Sequence, residues 1–261
     1  MCLILFAYRH HPDFPLIVAA NRDEFYRRPT RPPQFWQEHP AVFAGKDLQA
    51  GGTWMGVTRQ GRFAAITNYR KGIPEPVARP SRGELCVQFL TAESEVDSFL
   101  TSLATRADSY AGFNLLVGDF SNLDKPKLGY FSNRSQSDAL VLGSGVYGLS
   151  NGLLDEAWPK VELGKQALTA QLNDEPQEIQ FVLMDRTTAA WEQLPDTGIE
   201  KTLEKQLSSR FIVTDNYGTR SSSVMRIHRS GQVDWLDQSF GPQGAISDHR
   251  STAFSLVVSN K

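Results

Sequence analysis

The sequence predicts an α+β fold with helices packed on sheets. Three observations carry this reading. Short β-type runs open and close the chain and enclose the helical patterns. No internal repeat, low-complexity tract or linker divides the 261 residues, which predicts a single domain over 1–261. With 40% hydrophobic residues, a chain of this length buries a core without disulfide or metal staples.

The first strands are expected at Leu3–Tyr8, Leu16–Ala20, Thr53–Val57 and Arg62–Asn68, separated by Pro12-Asp13, Gly51-Gly52 and Gln60-Gly61. Arg28–Pro40, rich in proline and arginine, reads as an extended surface loop. Two helical patterns follow. In the second, Val96, Phe99, Leu100 and Leu103 repeat at helical spacing, and Ser94 with Asp97 resembles a capping box. Strands return at Phe113–Asp119, Leu128–Ser132, Ala139–Leu142 and Val146–Ser150. Helices are expected at Pro159–Leu172 and at Asp174–Asp185, the latter with Pro176 in its first turn. The last strands fall at Phe211–Thr214, Ser223–His228, Val233–Leu236 and Phe254–Val258.

Composition excludes several function classes. A net charge of −2 gives no bulk attraction to nucleic acid or to an anionic membrane. No segment approaches the roughly 18 apolar residues of a membrane span. Met1–Tyr8 lacks a basic n-region and runs into Arg9-His10-His11, a poor secretory signal, so cytoplasmic residence is expected. Two cysteines outside any zinc spacing predict no metal centre. Gly143–Gly148 spells G-x-G-x-x-G, but the strand-like Val146–Ser150 follows it where a dinucleotide fold needs a helix. It reads as a hairpin turn.

Chemistry concentrates at two places. Cys2 becomes the N-terminal residue if Met1 is removed, and its α-amine, with a reference pKa of about 7.7–8.0, can then deprotonate its own thiol. Asn21-Arg22-Asp23-Glu24 places polar groups at the end of an apolar strand, where charges need partners or a ligand.

These residues, with Gly51–Trp54, Thr67–Arg70, Gly112–Leu115, Gly148–Asn151, Trp158–Lys160 and Thr219–Ser221, resemble the NRDE-motif family, whose eukaryotic members are called transport and Golgi organisation protein 2. The resemblance implies an N-terminal nucleophile hydrolase-like fold, a four-layer αββα sandwich. Carried over residue by residue, it implies Cys2 as nucleophile and Asp23 as the carboxylate orienting its amine. Asn68 and Asn151 are then the oxyanion and amine-holding amides, and Arg220 a late arginine of the site. In the bile-salt and penicillin hydrolases an arginine precedes the aspartate by three positions. Here Ala20 stands there, and Arg22 lies one step along the same strand face.

Two functions are expected: the set Cys2, Asp23, Asn68, Asn151 and Arg220 by itself favours hydrolysis, and the resemblance makes haem carriage the leading expectation. One is haem binding and trafficking, with haem as cargo and no catalytic metal. For that reading Phe35, Trp36, Trp54, Phe63 and Tyr69 are candidate walls, and Arg22, Arg70 and Arg220 candidate propionate partners. Asn21 joins Arg22 as pocket support, and Cys2, His10, His11 or His39 are candidate axial ligands. The other is hydrolysis by Cys2 of a non-peptide C–N or thioester bond. In both, the partner is a small amphipathic ligand.

Overall fold

The apolar run at the N-terminus forms a strand buried on both faces, and its alternation sorts the core. In the computed structural model, which describes residues 2–70 and 79–257, Ile4, Phe6 and Tyr8 point into one hydrophobic cluster. Leu3, Leu5 and Ala7 point into another on the opposite face.

The chain begins with β1 (Cys2–Tyr8), β2 (Leu16–Phe25), β3 (Thr30–Phe35), β4 (Val42–Asp47), β5 (Met55–Thr58) and β6 (Arg62–Asn68). Helices α1 (Gly83–Thr91) and α2 (Val96–Ala104) precede β7 (Phe113–Asp119), β8 (Lys127–Ser132), β9 (Leu140–Val141) and β10 (Gly145–Leu149). Then come α3 (Pro159–Ala170), α4 (Pro176–Phe181), α5 (Lys201–Gln206), β11 (Tyr217–Ile227), β12 (Gln232–Phe240) and β13 (Ile246–Ser255). One sheet has the order β10-β1-β2-β11-β12-β13, the other β3-β4-β5-β6-β7-β8-β9, and every pairing is antiparallel.

Three hydrophobic clusters define four layers. The first lies between the sheets, with Tyr8, Val18, Phe43, Phe63, Leu116 and Trp235 at its centre. The second packs Leu85, Phe89, Phe99 and Leu103 of α1 and α2 on the seven-stranded sheet. The third packs Val161 and Leu168 of α3 and Ile179 of α4 on the six-stranded sheet. Helix, sheet, sheet and helix therefore stack as an αββα sandwich.

Several boundaries differ from those expected. Within Arg28–Pro40 lies edge strand β3, whose register slips between Arg31 and Gln34. Pro32 and Pro33 sit there, and an edge tolerates prolines that cannot donate to a ladder. Strand β4 was not anticipated. Phe211–Thr214 forms only an isolated bridge, Val213 with Gly218. The last strand starts earlier, at Ile246, and Val258 lies outside the described residues. The second of the later helices is short, and its capping box is Glu175 with Glu178. Ser94 caps nothing, since the N-cap of α2 is Glu95.

Candidate functional site

The site is built where β1 and β2 end side by side. Cys2 stands opposite Arg22, and Arg22 opposite Ser221 on β11. Since Ile4 and Ala20 face the core between the sheets, Cys2 and Arg22 continue that face to the open end of the sandwich. Asn21 and Asp23 fall on the helix-facing side, where Ile17 and Ala19 already pack. A bulge between Thr219 and Ser221 re-aims Arg220, the extra residue.

Cys2, Arg22 and Asp23 open on a cavity of about 470 Å³. Trp54 and Asn68 line it from the other sheet, and Arg79, Arg82 and Gly83 line it at the start of α1. Arg22 is only 5% exposed. Its guanidinium lies 4.5 Å over the Trp54 ring, donates to Asp47 Oδ2 at 3.1 Å and reaches Thr30 Oγ1 at 3.2 Å. Arg28 Nε donates to the same Asp47 oxygen at 2.6 Å. Burial opposes ionisation of Asp47, but the Arg28 hydrogen bond, the Ala50 amide and the charges of Arg28 and Arg22 outweigh it and hold the carboxyl below its ordinary value. Arg79 Nη1 donates to the carbonyl of Asp108 at 3.4 Å and also to that of Tyr110, and Arg82 Nη1 donates to Gly112 at 3.0 Å. Backbone carbonyls hold these two cations at the cavity wall.

Behind Cys2 the groups are buried. Asp23 Oδ1 accepts from Thr219 Oγ1 at 2.7 Å, and its carbonyl accepts from Tyr217 Oη at 2.9 Å. Burial pushes the Asp23 carboxyl up, against the pull of Lys160, Thr219 and Arg22. Burial likewise pushes the Cys2 thiol up, Asp23 adds to this, and Arg22 opposes it. Ser150 Oγ donates to the Cys2 carbonyl at 3.3 Å. Asn151 Nδ2 crosses between the sheets to the Asn68 carbonyl at 2.7 Å, and its own Oδ1 is buried without a hydrogen-bond partner among the described residues.

Other expected residues lie elsewhere. Asn21 Nδ2 ties β2 to the carbonyls of Leu183 and Arg210 at 2.9 and 2.8 Å, a buttress behind the site. Arg70 pairs with Glu204 at 2.7 Å and lies 4.9 Å over Trp158, away from the cavity. Neither it nor Tyr69 lines the cavity. Arg220 donates to the carbonyls of Phe25, Tyr26, Arg28 and Phe240, holding the turn after β2. Among the named haem walls only Trp54 borders the cavity, and no histidine does.

Sequence reasoning missed Lys160. It is 4% exposed in the first turn of α3, donates from Nζ to the Leu207 carbonyl at 2.9 Å, and feels the charges of Asp23 and Cys2. Its signal was present: Lys160, Gly164 and Leu168 share one face of α3, so a lysine stands on a buried stripe.

Gly52 sets the cavity's shape. A Cβ there would lie 2.5 Å from the Gly83 carbonyl carbon and 2.9 Å from the Glu84 nitrogen, backbone atoms that cannot swing aside. Gly52→Ala is therefore expected to push the 47–54 loop off α1 and break the bond from Thr53 N to Gly83 O. A loss of about 1–3 kcal/mol in urea unfolding is expected. An unchanged midpoint would show that the close approach is not needed.

A family model described as Transport and Golgi organisation 2 matches residues 1–242. The mouse Transport and Golgi organization 2 homolog is 34% identical over 257 residues, covering 92% of this chain and 93% of that protein. The human homolog matches at 34% with the same coverage. Among solved structures, the C2A mutant of conjugated bile acid hydrolase from Clostridium perfringens is similar, with a TM-score of 0.48 and 11% identity over 98% of this chain and 92% of that one. The chain belongs to the Transport and Golgi organisation 2 family.

Proposed function

We propose that this family member is a thiol-dependent hydrolase that cleaves an amide or thioester of a small amphipathic, anionic substrate. The placement of Cys2 carries the reading: it borders the 470 Å³ cavity, across the ladder from Arg22 and beside the buried Asp23–Thr219 pair. Once Met1 is removed, the α-amine of Cys2 takes the thiol proton as sulfur bonds to the carbonyl carbon. Asp23, fixed by Thr219, orients that amine. The Asn68 side-chain amide donates to the oxygen that gains charge. Arg79 and Arg82 attract the substrate's anionic end. The C–N or C–S bond then breaks, and the leaving group takes the proton held by the amine. Water cleaves the acyl thioester on Cys2, releasing a carboxylate and restoring the thiol.

Intact-mass spectrometry with an activated aryl thioester tests this. The protein is expected to lack Met1 and to gain one acyl group, Cys2→Ala to gain none, and Asp23→Asn to react at least about 100-fold more slowly. A wild-type protein without Met1 that gains no acyl group sinks the reading.

The arginines around the cavity favour one second reading, haem held as cargo in the same space. Arg22, Arg28, Arg79 and Arg82 all line it, and one charge-assisted bond to a propionate contributes roughly 1.5–3 kcal/mol. Arg22→Ala should then weaken a saturable Soret titration by about ten-fold or more, while Cys2→Ala tests thiolate ligation. Saturable haem binding without acyl transfer selects this reading over hydrolysis.

A further inference from the structure

Beyond the stack of Arg22 on Trp54 lies a second, smaller chamber of about 150 Å³, walled by Arg22, Arg220, Asp248, Trp54, Pro32 and Pro33. At its floor Asp237 is 1% exposed. Its Oδ1 accepts from Ser223 Oγ at 2.5 Å, and its Oδ2 faces Ser239 Oγ at 3.4 Å. Ser221, which also lines the chamber, has a buried Oγ with no hydrogen-bond partner among the described residues.

Among the described residues, no cation lies within ion-pair distance of Asp237, although several stand near. Arg22 is held by Asp47 and Thr30, and Arg220 by four backbone carbonyls. Arg250, directly across the ladder, is turned to Asp248 at 2.6 Å. A buried carboxylate without a counter-ion is unfavourable, and burial, helped by the charge of Asp248, pushes Asp237 up to about 6, against the Ser223 and Ser239 hydroxyls and the charge of Arg250. At neutral pH it remains mostly charged.

We infer that the second chamber is a binding site for a small primary ammonium group, seated on Asp237. An ammonium carries three donors, and the chamber offers three matching acceptors in Asp237 Oδ2, Ser221 Oγ and Ser239 Oγ. A divalent metal is a poorer match, since it needs a fuller oxygen shell than Asp237 and a few hydroxyls supply, and Asp248, the other carboxylate lining the chamber, is already paired with Arg250. The chamber is too small for a large cation; it shares Arg22 and Trp54 with the Cys2 cavity, but ammonium binding there needs no reaction at Cys2.

The test titrates n-propylammonium into the full chain at pH 7.5, following the amide signals of Ser221 and Asp237 by NMR, with propan-1-ol and propionate as isosteric controls. Saturable shifts are expected with the ammonium alone. Asp237→Asn should weaken binding at least ten-fold, Arg250→Gln should retain it, and wild-type affinity should fall as pH drops below about 6. Ser221→Met, which fills the chamber without removing Asp237, should abolish binding with an unchanged circular dichroism spectrum. Equal shifts from propan-1-ol, no saturation, or binding retained by Ser221→Met would each overturn the inference.

Discussion

Phe43→Ala is expected to lower the unfolding free energy by about 3–5 kcal/mol, among the largest losses any single truncation gives here. Phe43 is 3% exposed on β4 and stands where the two sheets meet. Its ring is T-shaped to Phe35 at 5.1 Å and to Trp235 at 5.4 Å, and tilted against Phe254 at 5.3 Å. Phe35 belongs to its own sheet, whereas Trp235 and Phe254 come from β12 and β13 of the other. Removing one ring therefore opens a void that rigid strands on both sides cannot close. The melting temperature should fall by roughly 10 °C, at about 2–4 °C per kcal/mol. Leu163→Ala, on the exposed side of α3, is the control and should shift stability by no more than about 0.5 kcal/mol. A Phe43→Ala loss below about 1 kcal/mol would mean that the sheets do not close on this ring.

That seam also marks what the sequence made legible. Expected strands Arg62–Asn68 and Phe113–Asp119 match β6 and β7 to the residue, because central strands are apolar and bounded by clear turns. The stripe Val96, Phe99, Leu100 and Leu103 is the buried face of α2. Edges were harder. Strand β13 is mostly polar and exposed, and β3 carries two prolines, so neither shows an apolar pattern although backbone pairing holds both. At the site, Cys2, Arg22, Asp23, Trp54 and Asn68 were readable because each ends or flanks a recognisable strand, and all five line one cavity. Arg28, Asp47, Arg79 and Arg82 were not. Their contribution depends on how the 47–54 loop and the start of α1 come together, which no local pattern encodes. Arg220 was readable as a residue but not as a direction, since the bulge that turns it arises only when β11 pairs with β2.

Lys160 leads to the other large expected effect. Burial holds its ammonium down from 10.5 to about 8, against the opposing pull of Asp23. Between those two values the unfolded chain binds the proton more tightly than the folded one, so raising the pH through this window favours folding. Wild-type stability should gain roughly 3 kcal/mol from this one group between pH 7.5 and 10.5, at about 1.4 kcal/mol per pKa unit. Other groups act in the opposite direction, since burial pushes the Tyr130 and Tyr217 hydroxyls up and their ionisation at high pH disfavours the fold. Those contributions are common to wild type and a Lys160→Met variant, so the difference between the two unfolding curves isolates the lysine. Relative to wild type, Lys160→Met should fare progressively worse as pH rises, losing roughly 3 kcal/mol across the window. Because the Lys160 ammonium and the Cys2 thiolate attract each other, the same substitution should disfavour the thiolate and shift the pH profile of Cys2 labelling upward. Parallel stability curves for the two proteins from pH 7.5 to 10.5 would show that Lys160 keeps its ordinary affinity for a proton when buried. An unmoved labelling profile would sever it from Cys2.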